Sequence, residues 1–392
     1  MIFHSSWKHS RKLKPCLQSF NRNLNVLGIE SSFDDTGAAV INDSKQILGE
    51  GYFSQQNVYR ECGGMLSHVG FSLHKKYIRH VINECMRGSQ LDFKDLDAIA
   101  VTVKPGLSLS LEAGVNFAKE LCKLHQKPLV PIHHMEAHAL TVRLIEEVKF
   151  PFVTLLISGG HCILAFVKSP TEFYRLGQAT DSNPGEVIDK VARRAKLNNL
   201  KRLRGLSCGA AIEKAAAEVK VEVGPFVKYI MAQKRDCNFS FTGILSNAVG
   251  YIKDQEKQLG LEPDERMANV WQVVSGGVAS NNFIKSALRY CCQQHGYRLI
   301  VPPPKYCTDN GVMIAWNGIE RLKVNCPVIK HDELDSIQPI PKCHLGEDWS
   351  NDVTEVLRVN GITRKVRLKN FLEEYNANEA EHQPEKIIDT SN

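Results

Sequence analysis

Two stretches of this chain repeat one pattern, and the repeat restricts the folds open to it. NVLGIESSFDDTGAAVI (residues 25–41) is an apolar run, a short polar turn and a second apolar run; FPFVTLLISGGHCILAFV (150–167) repeats this around a Ser-Gly-Gly turn. Each reads as a β-hairpin. The first is followed by the helix-period segment HKKYIRHVINECMRG, the strand-like LDAIAVTV and the helical LEAGVNFAKELCKL. Strands interleaved with helices of this length specify an α/β architecture. The repeated start predicts two related lobes with a ligand cleft between them.

With 392 residues, 43% apolar and 23% charged, the chain has material for two full cores. It has no run of about eighteen apolar residues, so no membrane span is expected. The twelve cysteines form no C-x-x-C pair, which fits a thiol-reducing compartment better than a disulfide framework or a cysteine zinc site. Residues 1–24 carry Lys8, Arg11, Lys12, Lys14, Arg22 and four serines, and the first carboxylate of the chain is Glu30. A basic, hydroxylated, acid-free leader reads as an organellar transit peptide; a basic tail without structure is the alternative. Without it, 44 basic residues face 43 acidic ones and the net charge falls from +6 to +1, so total charge says little about a nucleic-acid partner.

VVSGGVASNNFIKSALRYC (273–291) reads as strand, Gly-Gly turn and helix, a geometry that brings backbone N–H groups close to a phosphate or nucleoside. Alone, such a turn is more often plain turn chemistry. Together, Ser158-Gly159-Gly160, Gly276-Gly277 and the acidic turn Asp34-Asp35 suit a nucleotide-binding cleft, with backbone donors for phosphates and carboxylates to hold a cation or polarise a water.

PIHHMEAHAL (131–140) places three histidines within six positions. If a helix starts here, His134 and His138 stand at i and i+4 on one face, about 5–6 Å apart, and can grip one metal ion. His133 then points about 100° away and reads as a strand-end or second-layer residue. A zinc peptidase needs H-E-x-x-H, whereas Glu136 is turned roughly 200° from His134, so that chemistry is set aside. Two polar-face histidines without metal remain the alternative. The third ligand must come from elsewhere, and Asp309 in PPPKYCTDNGVMIAWNGIERL (302–322), at a loop-to-helix junction, is the leading candidate.

These residues resemble a known family. IESSFDDTG, KPGLSLSL, HHMEAH, LLISGGHC, GEVIDKVARR, NFSFTG, SGGVASN and CTDNGVMIAWNGIERL stand in the order found in the tRNA N6-adenosine threonylcarbamoyltransferases, an O-sialoglycoprotein endopeptidase-like family, from about residue 25 to about residue 345. The alanine of HHMEAH, KPGL and WNGIERL are similar to its mitochondrial branch. The resemblance implies a two-lobed actin-like/sugar-kinase/Hsp70 ATPase-type fold with ligand and metal in the interlobe cleft. It divides the chain into a mitochondrial transit peptide (1–24), an N-terminal lobe (25–135), a C-terminal lobe (136–345) and a polar tail (346–392).

It also implies an acyltransferase of the mitochondrial matrix. Such an enzyme moves the threonylcarbamoyl group from threonylcarbamoyl-AMP, supplied by a separate synthase, to N6 of the adenosine just 3′ of the anticodon in tRNAs reading codons that begin with A. Carried over by position, His134, His138 and Asp309 match the ligands of one divalent metal ion per subunit, iron or zinc. Leu156, Ile157, Ser158, Gly159 and Gly160 match the phosphate-side hairpin, and Asp189, Gly209 and Asn281 match positions holding the ribose and base. Asp34 matches a carboxylate near the reacting centre. The partners implied are tRNA and the adenylate, with a homodimer as candidate assembly. Because the anhydride is already activated, orientation and charge stabilisation suffice. Cys307 therefore reads as a structural thiol rather than a nucleophile. KVARRAKLNNLKRLRG (190–205), with seven Lys/Arg and no acid, is either a tRNA phosphate contact or a solvated helix face.

Departures from the family pattern bear on function. Phe33 stands for a cysteine and Cys208 for the first glycine of a pair. Between Gly243 and Gly276 a helical stretch is missing, near residues 265–275, which predicts an incomplete second lobe with exposed apolar surface. A non-catalytic nucleotide-binding relative is thus the alternative function. A phosphotransferase of the same fold superfamily has no counterpart of the His134/His138 pair.

Overall fold

The first repeat folds as β1 (Asn25–Glu30) and β2 (Asp35–Asn42), paired antiparallel from Asn25↔Asn42 to Glu30↔Gly37. The computed structural model describes residues 23–61, 66–217, 236–259 and 282–360. β3 (Ile47–Ser54) follows antiparallel to β2, then come α1 (Gln56–Glu61), α2 (Ser67–Ser89), β4 (Ala98–Lys104), α3 (Ser108–His125) and β5 (Leu129–His133). α4 (His134–Ile145) leaves β5 without a linker. The first sheet has the order β3-β2-β1-β4-β5, with β4 and β5 parallel to β1, each reached over a helical crossover as parallel strands require.

The second repeat forms β6 (Phe152–Ile157), β7 (Cys162–Ser169) and β8 (Glu172–Gln178), an antiparallel meander. Next come three helices, α5 (Pro184–Arg194), α6 (Cys208–Ala217) and α7 (Thr242–Leu259). They enclose a core of their own, with Val187, Val191, Leu197, Leu203, Ile212 and Ile252. α8 (Asn282–Gln294) and α9 (Pro304–Cys307) lead to α10 (Gly311–Lys323), and β9 (Glu347–Asp348) and α11 (Ser350–Asn360) close the described chain. Of the strand, turn and helix expected over 273–291, the helix is α8, while the strand and the Gly-Gly turn lie outside the described residues. So does the stretch near 265–275. No helix among the described residues is long and apolar enough to cross a membrane.

Sheet one is covered on both faces, which explains why β1 is buried at every position after Asn25. On one side Ile78, Val81 and Ile82 of α2 and Val115 and Leu121 of α3 pack on Leu27, Ile29 and Val101. On the other, Met313, Trp316 and Ile319 of α10 pack with Val26, Ala39 and Ala100, beside Leu140 of α4. α10 was expected in the C-terminal lobe from its place in the chain, yet it is buried at every residue from Gly311 to Glu320 against the first sheet. Close backbone approach makes this possible: a Cβ on Gly28 would overlap the backbone of Ala315, and one on Gly311 would overlap that of Ala38. No side chain separates the helix start from the hairpin.

Two further differences from the sequence reading have physical causes. The polar tail expected from residue 346 is folded to Asn360: β9 pairs parallel with β8, Trp349 stacks on Tyr174 at 3.9 Å, and Arg175 binds Asp348 at 2.6 Å. The two hairpins also differ in burial. β6 pairs only with β7 among the described residues, and Val153 on it is 59% exposed, whereas β1 lies between two strands.

If the α10 seat sets the fold, Gly311→Ala lowers stability by about 1–3 kcal/mol through overpacking. Urea unfolding would report this, and an unchanged midpoint would show that α10 can lift off the hairpin without cost.

Candidate active site

β5 and α4 meet at two adjacent histidines with separate tasks. His133 caps the helix: its Nδ1 accepts from the Met135 N–H at 3.2 Å and its Nε2–H donates to the His344 carbonyl at 3.2 Å. Both ring nitrogens are occupied and burial lowers its pKa to about 3, so it stays neutral. This is the strand-end role expected for it. His134 and His138 sit one turn apart on the other face, ring centroids 4.6 Å apart and edge to face.

Asp309 completes the group. Its Oδ1 lies 3.0 Å from His138 Nε2 and 3.4 Å from His134 Nε2, and one donor atom from each residue falls within 4.8 Å of the others. Asn310 holds it there as the N-cap of α10, accepting from the Met313 N–H at 2.9 Å and donating to the Thr308 carbonyl at 2.7 Å. Two imidazoles and one carboxylate suit a divalent first-row metal, and three protein donors leave positions for other ligands. Glu136 points elsewhere, to Arg321 at 2.6 Å, while Arg143 on the same helix holds Glu320 at 2.9 Å. These two ion pairs clamp α4 to α10, and the first of them occupies the only acid of HHMEAH.

Electrostatics agree with a cation site. Burial opposes charge on Asp309, but His134 and then His138 outweigh it and hold the carboxyl well below its ordinary range. Burial likewise opposes charge on His134, yet Asp309 and Glu30 raise its pKa to about 9. A proton on His134 Nε2 and a metal ion there exclude each other, so metal binding must release that proton. Asp34 is pushed up to about 7 by burial, then by Asp35 and Asp309. Its turn is pinned by His74, which accepts from the Thr36 hydroxyl at 2.8 Å and donates to the Phe33 carbonyl at 2.9 Å. The Phe33 side chain, which stands where the resemblance implies a cysteine, is 45% exposed.

Leu156 and Ile157 end β6, and Ser158, Gly159 and Gly160 form the turn. The Ser158 hydroxyl accepts from the N–H groups of Gly160 at 3.3 Å and His161 at 3.0 Å, and a side chain on either glycine would meet only open space. The turn is tied to α5 by Asn183, which donates to the Gly160 carbonyl at 2.8 Å. Asp189 on α5 accepts a hydrogen bond from Cys208, which brings it beside Gly209 at the start of α6. NFSFTG begins α7, where Asp181 accepts from the Ser240 hydroxyl at 2.6 Å and the Phe241 N–H at 2.9 Å. Asn281 lies outside the described residues. Cys307 donates to the Pro302 carbonyl at 3.3 Å and burial raises its pKa, the state of a structural thiol.

Two residues of the site went unread in the sequence. His161 faces the metal group: burial lowers its pKa, and so do His134 and His138. Its signal was its place directly after the glycine turn. Glu30 is fully buried at the end of β1 and lies 3.3 Å from His134 Nδ1, whereas the sequence marks it only as the first carboxylate of the chain.

The tRNA N6-adenosine threonylcarbamoyltransferase profile matches residues 46–316. The chain is 41% identical over 367 residues to the mitochondrial tRNA N6-adenosine threonylcarbamoyltransferase of Danio rerio, covering 84% of this chain and 90% of that one. To the human protein of the same name it is 39% identical over 389 residues, covering 88% and 93%. The chain belongs to this family. The probable mitochondrial threonylcarbamoyltransferase of Arabidopsis thaliana is 33% identical over 380 residues, covering 86% and 78%. In the comparison with Danio rerio, 84% of 392 residues is about 329, so roughly 38 of the 367 aligned positions of that threonylcarbamoyltransferase have no counterpart here. Within this family match, the described residues form a mixed α/β fold with two hairpin-led sheets.

His138→Ala and Asp309→Ala should each weaken zinc(II) binding at least about tenfold, measured by competition with a chelator, whereas Glu136→Gln, which loosens a clamp but removes no donor, should weaken it less. A loss in Glu136→Gln as large as in the two donor variants would mean that Glu136 is itself a ligand.

Proposed function

We propose that this chain transfers the threonylcarbamoyl group from threonylcarbamoyl-AMP to N6 of the adenosine just 3′ of the anticodon, in mitochondrial tRNAs that read codons beginning with A. The observation that carries this reading is the convergence of His134 and His138 of α4 with Asp309 of the turn before α10, in a chain belonging to the threonylcarbamoyltransferase family. The alternative of a non-catalytic nucleotide-binding relative is not favoured, because these donors and Asp34 all stand in place.

The chemistry follows from the groups present. The N6 nitrogen attacks the carbamoyl carbon, the bond from that carbon to the phosphate oxygen breaks, AMP leaves and N6 loses one proton. Asp34, at about 7, is matched to accept that proton at neutral pH. A bound iron or zinc ion would supply Lewis acidity and offset phosphate charge. Leu156 to Gly160 border the phosphate side, and Asp189, Gly209 and Asn281 hold ribose and base. A separate synthase supplies the adenylate, the working compartment is the mitochondrial matrix, and the assembly is a homodimer. We further infer that the second lobe lacks a helical stretch near 265–275; the alignment shortfall is consistent with a loss of that size and does not locate it.

The tRNA contact we assign to the segment 190–205. Arg193, Lys196, Lys201, Arg202 and Arg204 are exposed over the buried Leu197, Leu200 and Leu203. Arg194, at first included among these cations, is instead held by Glu256 of α7 at 2.7 Å. Neutralising Arg193, Lys196, Lys201 and Arg204 together should weaken tRNA binding and flatten its salt dependence, by about 0.7–0.9 in log–log slope for each phosphate that is no longer neutralised. Unchanged binding would leave the segment as a solvated face.

Purified protein supplied with threonylcarbamoyl-AMP and mitochondrial tRNA should form product, and His134→Ala and Asp309→Ala should abolish it. Adenylate binding without product in the unaltered chain would refute the transferase. Asp34→Asn should slow turnover by about 10²–10⁴-fold. The carboxylate is the working form, so kcat/KM should fall as the pH drops through the Asp34 pKa, and this acid limb should vanish in Asp34→Asn.

A further inference from the structure

Glu30 is fully buried, and a buried carboxylate persists only with compensating partners. Three side chains and one backbone group surround it. Oε1 accepts from the Ser32 N–H at 2.6 Å; Oε2 accepts from the Thr102 hydroxyl at 2.5 Å and lies 3.3 Å from His134 Nδ1; the Ser32 hydroxyl stands 3.1 Å from the same Nδ1. The strands explain the grouping. β1 and β4 are parallel with Ile29 opposite Val101, so Glu30 and Thr102 are the next pair along, at the carboxyl ends where β5 delivers His134. With Nε2 of His134 directed to Asp309, Nδ1 must carry a hydrogen to meet this acceptor pair, which selects one tautomer and fixes the ring plane.

We propose that Glu30, braced by Thr102 and Ser32, is the positioning residue of the metal centre: it orients His134 through Nδ1 and strengthens Nε2 as a donor. This rests on reading His134, His138 and Asp309 as a metal site. Among the described residues nothing comparable restrains His138, whose ring is aligned by its helix and Asp309. The centre is therefore asymmetric, with one fixed imidazole and one able to adjust when substrate enters.

The test uses the full chain and two readouts that need no turnover: zinc(II) affinity by chelator competition, and the visible spectrum of the cobalt(II)-loaded protein, which reports ligand geometry. Glu30→Gln keeps the side-chain size, but its amide nitrogen cannot accept from Ser32 or Thr102. It should lower zinc affinity by about 10–100-fold and alter the cobalt spectrum. Thr102→Val, which leaves Glu30 in place, should produce a smaller loss in the same direction. A folded Glu30→Gln protein with wild-type affinity and spectrum overturns the proposal. If Glu30→Gln does not fold, Thr102→Val and Ser32→Ala decide, and unchanged affinity in both overturns it. A wild-type chain that binds neither ion overturns the metal reading itself and this proposal with it, whereas normal binding with inert variants overturns the proposal alone.

Discussion

The seat of α10 on the first hairpin is the interaction on which the site depends. Gly28 and Gly311 let helix and strand backbones touch, and Asn310 starts the helix at that point. Asp309, one residue earlier, is thereby held over the hairpin end, although 171 positions separate it from His138. The ion pairs Glu136–Arg321 and Arg143–Glu320 fix the rotation of α4 against α10. A donor set drawn from α4 and from the turn that leads into α10 needs such rigidity, because displacement of either helix would spread the donors apart.

Charge accumulation follows from this packing. Glu30, Asp34, Asp35 and Asp309 act on one another electrostatically at one end of the sheet, with burial penalising each. On Glu30, burial is outweighed by the charge and hydrogen bond of His134, aided by Ser32, and its pKa falls below the ordinary value. On Asp34, burial and the charges of Asp35 and Asp309 outweigh a backbone hydrogen bond, and its pKa rises instead. Neighbouring carboxylates with opposed shifts can take different roles, one holding a structure and one exchanging a proton.

Much of this was legible in the residues. Apolar–turn–apolar patterning found both hairpins, and helical spacing separated His134 and His138 from His133 and excluded Glu136 as a hydrolytic base. Glu30 and His161 escaped because their meaning depends on neighbours distant in the chain: Thr102 and His134 for the first, the histidine pair for the second. Arg194 looked like one cation among seven until α7 supplied Glu256.

By itself, the sequence determined which local elements form and which residue types are available, because turn chemistry and side-chain periodicity act over a few neighbouring residues. It also carried the ordered motifs that assign the family. Only the tertiary structure decided that α10 belongs to the first sheet, that residues 347–360 are folded, and that Glu30 stands behind His134. Each of these follows from backbone approach, strand register or charge pairing between distant segments, and such interactions exist only once the chain has closed on itself.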